Sequence, residues 1–105
     1  MLVWTTFPVF VPEHRRAAIA ECLTRINYSI IYGNLEMDLK DGEIRVRTIV
    51  ESNQAIADPM IDRAISSNLN SANRYFGPLM SIAFGNASPD TILDMVERSE
   101  KTNLQ

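Results

Sequence analysis

The fold of this chain is decided by residues 34–50, which read NLEMDLK-DG-EIRVRTIV. Apolar and polar residues alternate on both sides of Asp41-Gly42, which is the pattern of two half-buried strands joined by a turn. Asp-Gly favours a two-residue type I′ turn, because both central residues of that turn need a positive φ. The segment therefore predicts a β-hairpin.

A two-residue turn also determines which residues of the hairpin face each other. The charged residues share one face in pairs of opposite sign: Lys40 with Glu43, Asp38 with Arg45, and Glu36 with Arg47. The apolar side chains share the other face: Leu39 with Ile44, Met37 with Val46, and Leu35 with Thr48. A slip of one residue would move the whole apolar set into water, so we expect one core face and one solvated, charged face.

Two further elements precede the hairpin. Residues 2–10 are rich in aromatic and β-branched types, which predicts a strand whose Pro8 lies at an edge, a bulge or the strand's end. Pro12 then opens a helix that we expect to end near Asn27. One face of this helix carries apolar residues at i, i+3, i+4 and i+7: Ile19, Cys22, Leu23 and Ile26.

Two helices follow the hairpin. Asp58-Pro59 is a typical helix start, with Asp58 as the N-cap, and Gly77-Pro78 is expected to end or kink the long helix that follows. Its sheet-facing residues are predicted from helical spacing: Ile61, Ala64, Ile65, Leu69, Ala72 and Phe76. Ser88-Pro89-Asp90 starts a last helix, and residues 98–105 are expected to form a flexible tail.

These elements predict one α+β domain over residues 1–105. About three antiparallel strands, in the order β-α-β-β-α-α, pack against the helices. A net charge of −3 with ten scattered basic residues excludes the basic patch of a nucleic-acid or anionic-membrane binder. With a single cysteine and no signal-peptide pattern at its start, the chain is expected in the cytoplasm.

The residues that could carry chemistry are few. His14, the only histidine, is expected on the solvated surface, and Cys22, the only cysteine, is expected as an inert core thiol. Four glycines form no phosphate-binding loop, and one histidine with one cysteine cannot build a zinc site. We therefore predict no catalytic, metal-binding or cofactor-binding residue, and no enzyme.

Two features favour association with another protein. A three-stranded sheet leaves two edges to protect, and the first strand carries aromatic residues on both of its sides. The long helix also has a face of small, uncharged side chains that are cheaper to desolvate than charged ones: Ser66, Ser67, Asn68, Asn70, Ser71 and Asn73. The candidate partner interface drawn from both regions consists of Val3, Trp4, Phe7, Ser67, Asn70 and Ser71.

Several segments in this order resemble the YbjN family. They are residues 24–27 (TRIN), 33–38 (GNLEMD), 41–48 (DGEIRVRT), 73–79 (NRYFGPL) and 84–89 (FGNASP). The resemblance implies a fold similar to type III secretion chaperones, frequent dimers, a regulatory role in bacterial sensory transduction, and no established catalytic residues. The chain departs from the family pattern at Val46, where Tyr or Phe is usual, at the additional Gly77, and in lacking a helix and two strands before residue 2.

The resulting hypothesis is a regulatory or chaperone-like binding module that forms a homodimer or holds a protein partner. The alternative is a small-ligand sensor or enzyme with a pocket between the sheet and the helices. That pocket would be lined by Tyr75, Phe84 and Trp4, with Arg45 or Arg47 holding an anion.

Overall fold

A computed structural model describes residues 1–103 and contains a three-stranded sheet and three α-helices. The elements are β1 (Leu2–Phe10), α1 (Arg16–Ser29), β2 (Asn34–Met37), β3 (Glu43–Ile49), α2 (Asp58–Phe84) and α3 (Ile92–Asn103). Single 3₁₀ turns, Glu13–Arg15 and Pro89–Thr91, lead into α1 and α3. The predicted α+β class and the order β-α-β-β-α-α are confirmed.

The sheet is antiparallel with β3 in its centre, in the order β1-β3-β2. The side chains of Leu35, Ile44 and Val46 are buried against the helices, as the alternation predicted. The other face of the sheet, which we call the open face, carries the charged residues of the hairpin and the exposed side chains of Leu2 and Trp4.

The predicted hairpin register is wrong by two residues. Glu36 pairs with Arg45, rather than with Arg47, and Leu35 pairs with Val46. The turn is longer than two residues because Asp38 already pairs with Glu43: the Glu43 carbonyl accepts a 2.9 Å hydrogen bond from the Asp38 N–H. A shift of two residues preserves the two faces, so the predicted burial pattern survives the error.

Aspartate side chains and one glycine shape this longer turn. Asp38 Oδ1 accepts from the N–H of Lys40, and Asp41 Oδ1 accepts from the N–H of Glu43, each at 2.9 Å. Only Gly42 of the turn has a positive φ, of 81°, so the turn is not type I′. Leu39, predicted to face the core, is exposed in this turn.

The first strand and the first helix agree closely with the prediction. β1 has the predicted bounds, and its register with β3 is irregular between Thr6 and Phe10, around Pro8. The predicted stripe of α1, from Ile19 to Ile26, is buried. The helix ends at Ser29, two residues beyond the predicted end.

The buried face of α2 differs from the predicted one. Ala64 and Ala72 are buried as expected, but Ile65 and Leu69 are 42% and 48% exposed. Asn68, predicted on the outward polar face, is only 1% exposed because it bonds to polar atoms of the sheet. Asp58 is the first residue of the helix, and Ala57 occupies the N-cap position in its place.

Gly77-Pro78 was expected to end or kink the long helix, and it does not end it, since α2 continues to Phe84. The kink stays a prediction. Gly77 has no Cβ, which relieves the clash between a proline ring and the preceding side chain. Leu79 and Ile82 are fully buried beyond the proline, and their burial offsets the lost backbone bond. Arg15 Nε also donates a 2.8 Å hydrogen bond to the Ile82 carbonyl near the helix end.

The last helix packs against α2, and an ion pair between Arg74 and Glu100 links the two. The backbone of residues 98–103 is helical, while residues 104 and 105 lie outside the described part of the chain. The flexibility of the tail and the single domain therefore stay predictions. No helix within residues 1–103 is both long enough and apolar enough to cross a membrane.

Candidate interaction surface at the free edge of β1

The outer edge of β1 has unpaired backbone groups. Met1 and Val50 exchange two 2.9 Å hydrogen bonds, which sets the alternation of the β1–β3 ladder. Along β1, residues whose backbone N–H and C=O groups bond to β3 alternate with residues whose groups face away from β3. The backbone groups of Leu2, Trp4 and Thr6 therefore face outward. Among the side chains of residues 1–101 and the strands of the described chain, none is bonded to these outward groups. The edge can therefore accept a further strand.

The other edge of the sheet is mostly occupied. β2 is four residues long, and the side chain of Asn27 in α1 bonds both backbone groups of Leu35 at 2.9 Å. By the same alternation, Met37 is the one other residue of β2 whose backbone N–H and C=O groups face away from β3. The two edges are therefore unequal. The edge of β2 has only one residue with free backbone groups, whereas the edge of β1 has three, at the alternate positions 2, 4 and 6.

Exposed apolar side chains flank the free edge on both sides. On the open face, Leu2 and Trp4 are 52% and 51% exposed. On the helix side, Ile65 and Leu69 project from the flank of α2 that also carries Phe76. The ring of Phe76 packs edge-on against Phe7 of β1, with centroids 5.1 Å apart, so this flank lies on the β1 side. We call the edge and its two apolar borders the β1 edge surface.

A buried polar cluster around Asn68 holds α2 over the sheet. Asn68 Nδ2 lies 3.1 Å from the carbonyl oxygen of Val3 in β1 and 3.0 Å from that of Val46 in β3. It also lies 3.0 Å from Thr48 Oγ1, and the Thr5 hydroxyl donates to Asn68 Oδ1 at 2.6 Å. Because Asn68 bonds to both strands, α2 crosses above the gap between β1 and β3.

Three charged residues of the open face, Glu36, Arg45 and Arg47, form ion pairs with each other. Glu36 accepts from Arg45 Nε at 2.6 Å and lies 3.2 Å from Arg47 Nη2. Arg45 also lies over the ring of Trp4, 5.2 Å from its centroid, as in a cation–π contact. Trp4 is on the open face, whereas Tyr75 is buried on the helix side. The predicted pocket that joined these two residues to an anion-binding arginine is therefore not formed.

The predicted interface residues fall into two separate places. Val3 and Trp4 lie at the β1 edge surface, half-buried and exposed respectively, while Phe7 is a core residue that is 4% exposed. Ser67, Asn70 and Ser71 lie on the opposite flank of α2, in an open groove of about 1060 Å³ next to residues 29–32. The structure thus does not bring the two predicted sets together.

The residues with reactive side chains stay apart from one another. The thiol of Cys22 is buried, and this burial, followed by the charge of Glu21, raises its pKa to about 11. His14 is exposed in the 3₁₀ turn that leads into α1. Among the described residues, no three His, Cys, Asp or Glu side chains form a group that could hold a metal ion.

Sequence reasoning missed the roles of Asn27, Ile65 and Leu69. Helical spacing assigned Ile65 and Leu69 to the core, because spacing alone does not show which of two adjacent apolar stripes a helix buries. Asn27 stood only as the expected helix end, and its distance of eight residues from Leu35 carries no local signal. The unusual absence of charge from residues 2–10 was the available indication of the free edge.

A family model described as "YbjN: Putative bacterial sensory transduction regulator" matches residues 1–81. The matched range contains the whole sheet, α1 and most of α2, and therefore the β1 edge surface. No curated protein and no solved structure matches the chain.

Proposed function

The chain belongs to the YbjN family, and from that premise we propose that it is a non-enzymatic regulatory module that works by binding protein at the β1 edge surface. The family description supports a regulatory role. A regulator without its own chemistry must act through contacts, and an unpaired strand is a ready template for a contact with another chain.

One observation carries this proposal: the edge of β1 is open while the edge of β2 is blocked by Asn27. Natural edge strands are commonly protected by charged side chains, by prolines or by bulges. Residues 2–10 contain no charge, and Pro8 with the irregular register lies beyond Thr6, so the edge from Leu2 to Thr6 has none of these protections. A strand added along Leu2, Trp4 and Thr6 would gain backbone hydrogen bonds from the edge. Its side chains would meet Trp4 on one side and Leu69 on the other, which supplies apolar contact.

The chemistry of the described residues supports a binding role rather than an enzymatic one. A buried thiol with a raised pKa is a poor nucleophile at neutral pH, and His14 lies too exposed and isolated to serve as its base. The single buried cysteine also supports our proposal that the module works in the reducing cytoplasm. Chaperone-like work is one form that such binding could take.

The flank with Ser67, Asn70 and Ser71 is proposed as a second contact surface. The side chains of these three residues are small and uncharged, and the adjoining segment displays Ile31 and Tyr32 to solvent. The charged side chains of Arg63, Arg74 and Glu100 border the same groove. This groove is open to solvent, which suits a protein surface better than an enclosed small molecule.

Site-specific photo-crosslinking in bacterial cells tests the proposal. A benzophenone side chain replaces Thr6, whose backbone faces outward, and Ser81, exposed on α2 away from the edge, serves as the matched control. We expect a protein adduct from position 6 that position 81 does not form, and its loss when Trp4→Lys places a charge on the edge. Equal adducts from both positions, or none from position 6, would overturn the proposal.

A further inference from the structure

Building on the proposed function, we propose that the strand bound at the β1 edge surface is β1 of a second copy of this chain. The two strands pair antiparallel around a two-fold axis at Trp4. In this arrangement Trp4 lies opposite the second copy's Trp4, and Leu2 lies opposite the second copy's Thr6. A continuous six-stranded sheet results, with all helices on one side.

The strand itself favours this register. The three outward residues are Leu2, Trp4 and Thr6, so a two-fold axis at Trp4 uses all of them in both copies. Pro8 has no N–H and cannot donate to a neighbouring strand. A register centred farther along β1 would place Pro8 within the ladder, whereas the Trp4-centred register leaves it outside.

The position of α2 points to a second copy rather than to an isolated strand. Asn68 places α2 above the gap between β1 and β3, and neighbouring strands are about 4.8 Å apart. Pairing of the two β1 strands therefore sets the two α2 axes about two strand spacings, or ~10 Å, apart. Packed helices in proteins are separated by about 8–10 Å. The second copy thus supplies a helix at packing distance.

The same geometry buries the exposed apolar residues. Asn68 bonds to Val3 and Thr5, which flank Trp4, so α2 passes closest to the proposed axis at this level. Ile65 and Leu69 project from α2 toward the free edge at that point, where they would meet the same residues of the second copy. A lone added strand would cover them only in part. Between Ile65 and Phe76 this flank carries no charged side chain that would oppose its own copy, and the nearest one is Asp62, one turn before Ile65.

Paired cysteines test the register. The double variant Leu2→Cys, Thr6→Cys places two cysteines directly opposite each other across the interface, at about 5.5 Å between Cα atoms, which suits a disulfide. Either single variant leaves its two copies four residues apart, about 13 Å, which is too far. After mild oxidation, a denaturing gel without reductant should show a disulfide-linked dimer for the double variant. Both single variants and the wild type, whose Cys22 is buried, should run as uncrosslinked single chains.

A charge exchange tests the two-fold axis in solution. Trp4→Lys and Trp4→Glu each place like charges opposite each other, so sedimentation should show twice the chain mass for the wild type and one chain mass for each variant. An equimolar mixture of the two variants should recover the dimer, because the charges are then opposite. Leu39→Lys, an exposed change in the hairpin turn, is the matched control and should remain dimeric.

The outcomes separate this inference from the proposed function. A wild-type chain that stays monomeric, or cysteine links from the single variants alone, overturns the second-copy inference. If position 6 then still crosslinks another protein, the proposed function stands. If position 6 captures nothing, both fail.

Discussion

Asn27 of α1 and Leu35 of β2 are joined by two hydrogen bonds of 2.9 Å. Asn27 Nδ2 donates to the Leu35 carbonyl, and the Leu35 N–H donates to Asn27 Oδ1. An amide side chain here makes the same two bonds that a neighbouring strand would make. The helix therefore takes the place of a fourth strand at this edge.

Asn27→Ala should lower the free energy of unfolding by about 1–2 kcal/mol, because both backbone groups of Leu35 lose their protein partner while water can still reach them in part. Urea unfolding measures the change. Asn70→Ala, an exposed change on α2, is the control and should stay within about 0.5 kcal/mol of the wild type. Equal stability of the two variants would contradict the role assigned to Asn27.

Asn68→Ala should cost more, about 2–3 kcal/mol, because it leaves the buried hydroxyl of Thr48 and the part-buried hydroxyl of Thr5 without their shared partner and opens a small cavity. The substitution also raises intrinsic helix propensity, so a loss of stability cannot come from the helix itself. Thermal or urea unfolding of Asn68→Ala, compared with Asn70→Ala as the control, measures this loss of stability. A variant as stable as the wild type would show that the cluster does not hold α2.

Gly42→Ala and Gly33→Ala form a matched pair, since both glycines have positive φ, 81° and 94°. For Gly33 the main cost is backbone strain, about 1–2 kcal/mol. A Cβ on Gly42 would also stand 2.8 Å from the backbone nitrogen of Val11, so we expect a loss of more than about 3 kcal/mol. Unfolding curves of the two variants give the difference, and similar losses would contradict it.

The hairpin shows what could be predicted from the sequence. Alternation identified Leu35, Ile44 and Val46 as core residues, because period-two patterning depends on local sequence alone. The turn length was not predicted correctly. Hydrogen bonds from nearby N–H groups to the side chains of Asp38 and Asp41 stabilise a longer turn than the two-residue turn that Asp-Gly favours. Because the register error is an even number of residues, the same side chains still face the core.

The long helix shows what could not be predicted. Its pattern offered two adjacent stripes, one through Ile65 and Leu69 and one through Asn68. Burial of the second follows from the polar atoms that the sheet presents, above all Val46 O and Thr48 Oγ1, which lie far away in sequence. The position of the candidate site could not be predicted for the same reason. Which edge of β1 is free depends on the strand order β1-β3-β2, which is set by contacts distant in sequence.

The stability of the fold should decline between about pH 9 and pH 11 through Cys22. Its thiol has a pKa near 9 when unfolded and about 11 when folded, mainly because burial disfavours the thiolate. In that window the unfolded state loses a proton that the folded state keeps, so rising pH favours unfolding. Urea midpoints measured from pH 8 to pH 11 should fall less steeply for Cys22→Ala, and parallel curves would contradict this.

Because α1 covers the outer edge of β2, it limits how many copies of this chain can join edge to edge. A sheet with two free edges can add a molecule at each edge and extend into a fibre. A sheet with one free edge uses that edge when the first two copies join. Because Asn27 occupies Leu35, two copies joined at their β1 strands would present only the short, mostly occupied β2 strands at their outer limits. Assembly of this chain should therefore stop at a finite particle.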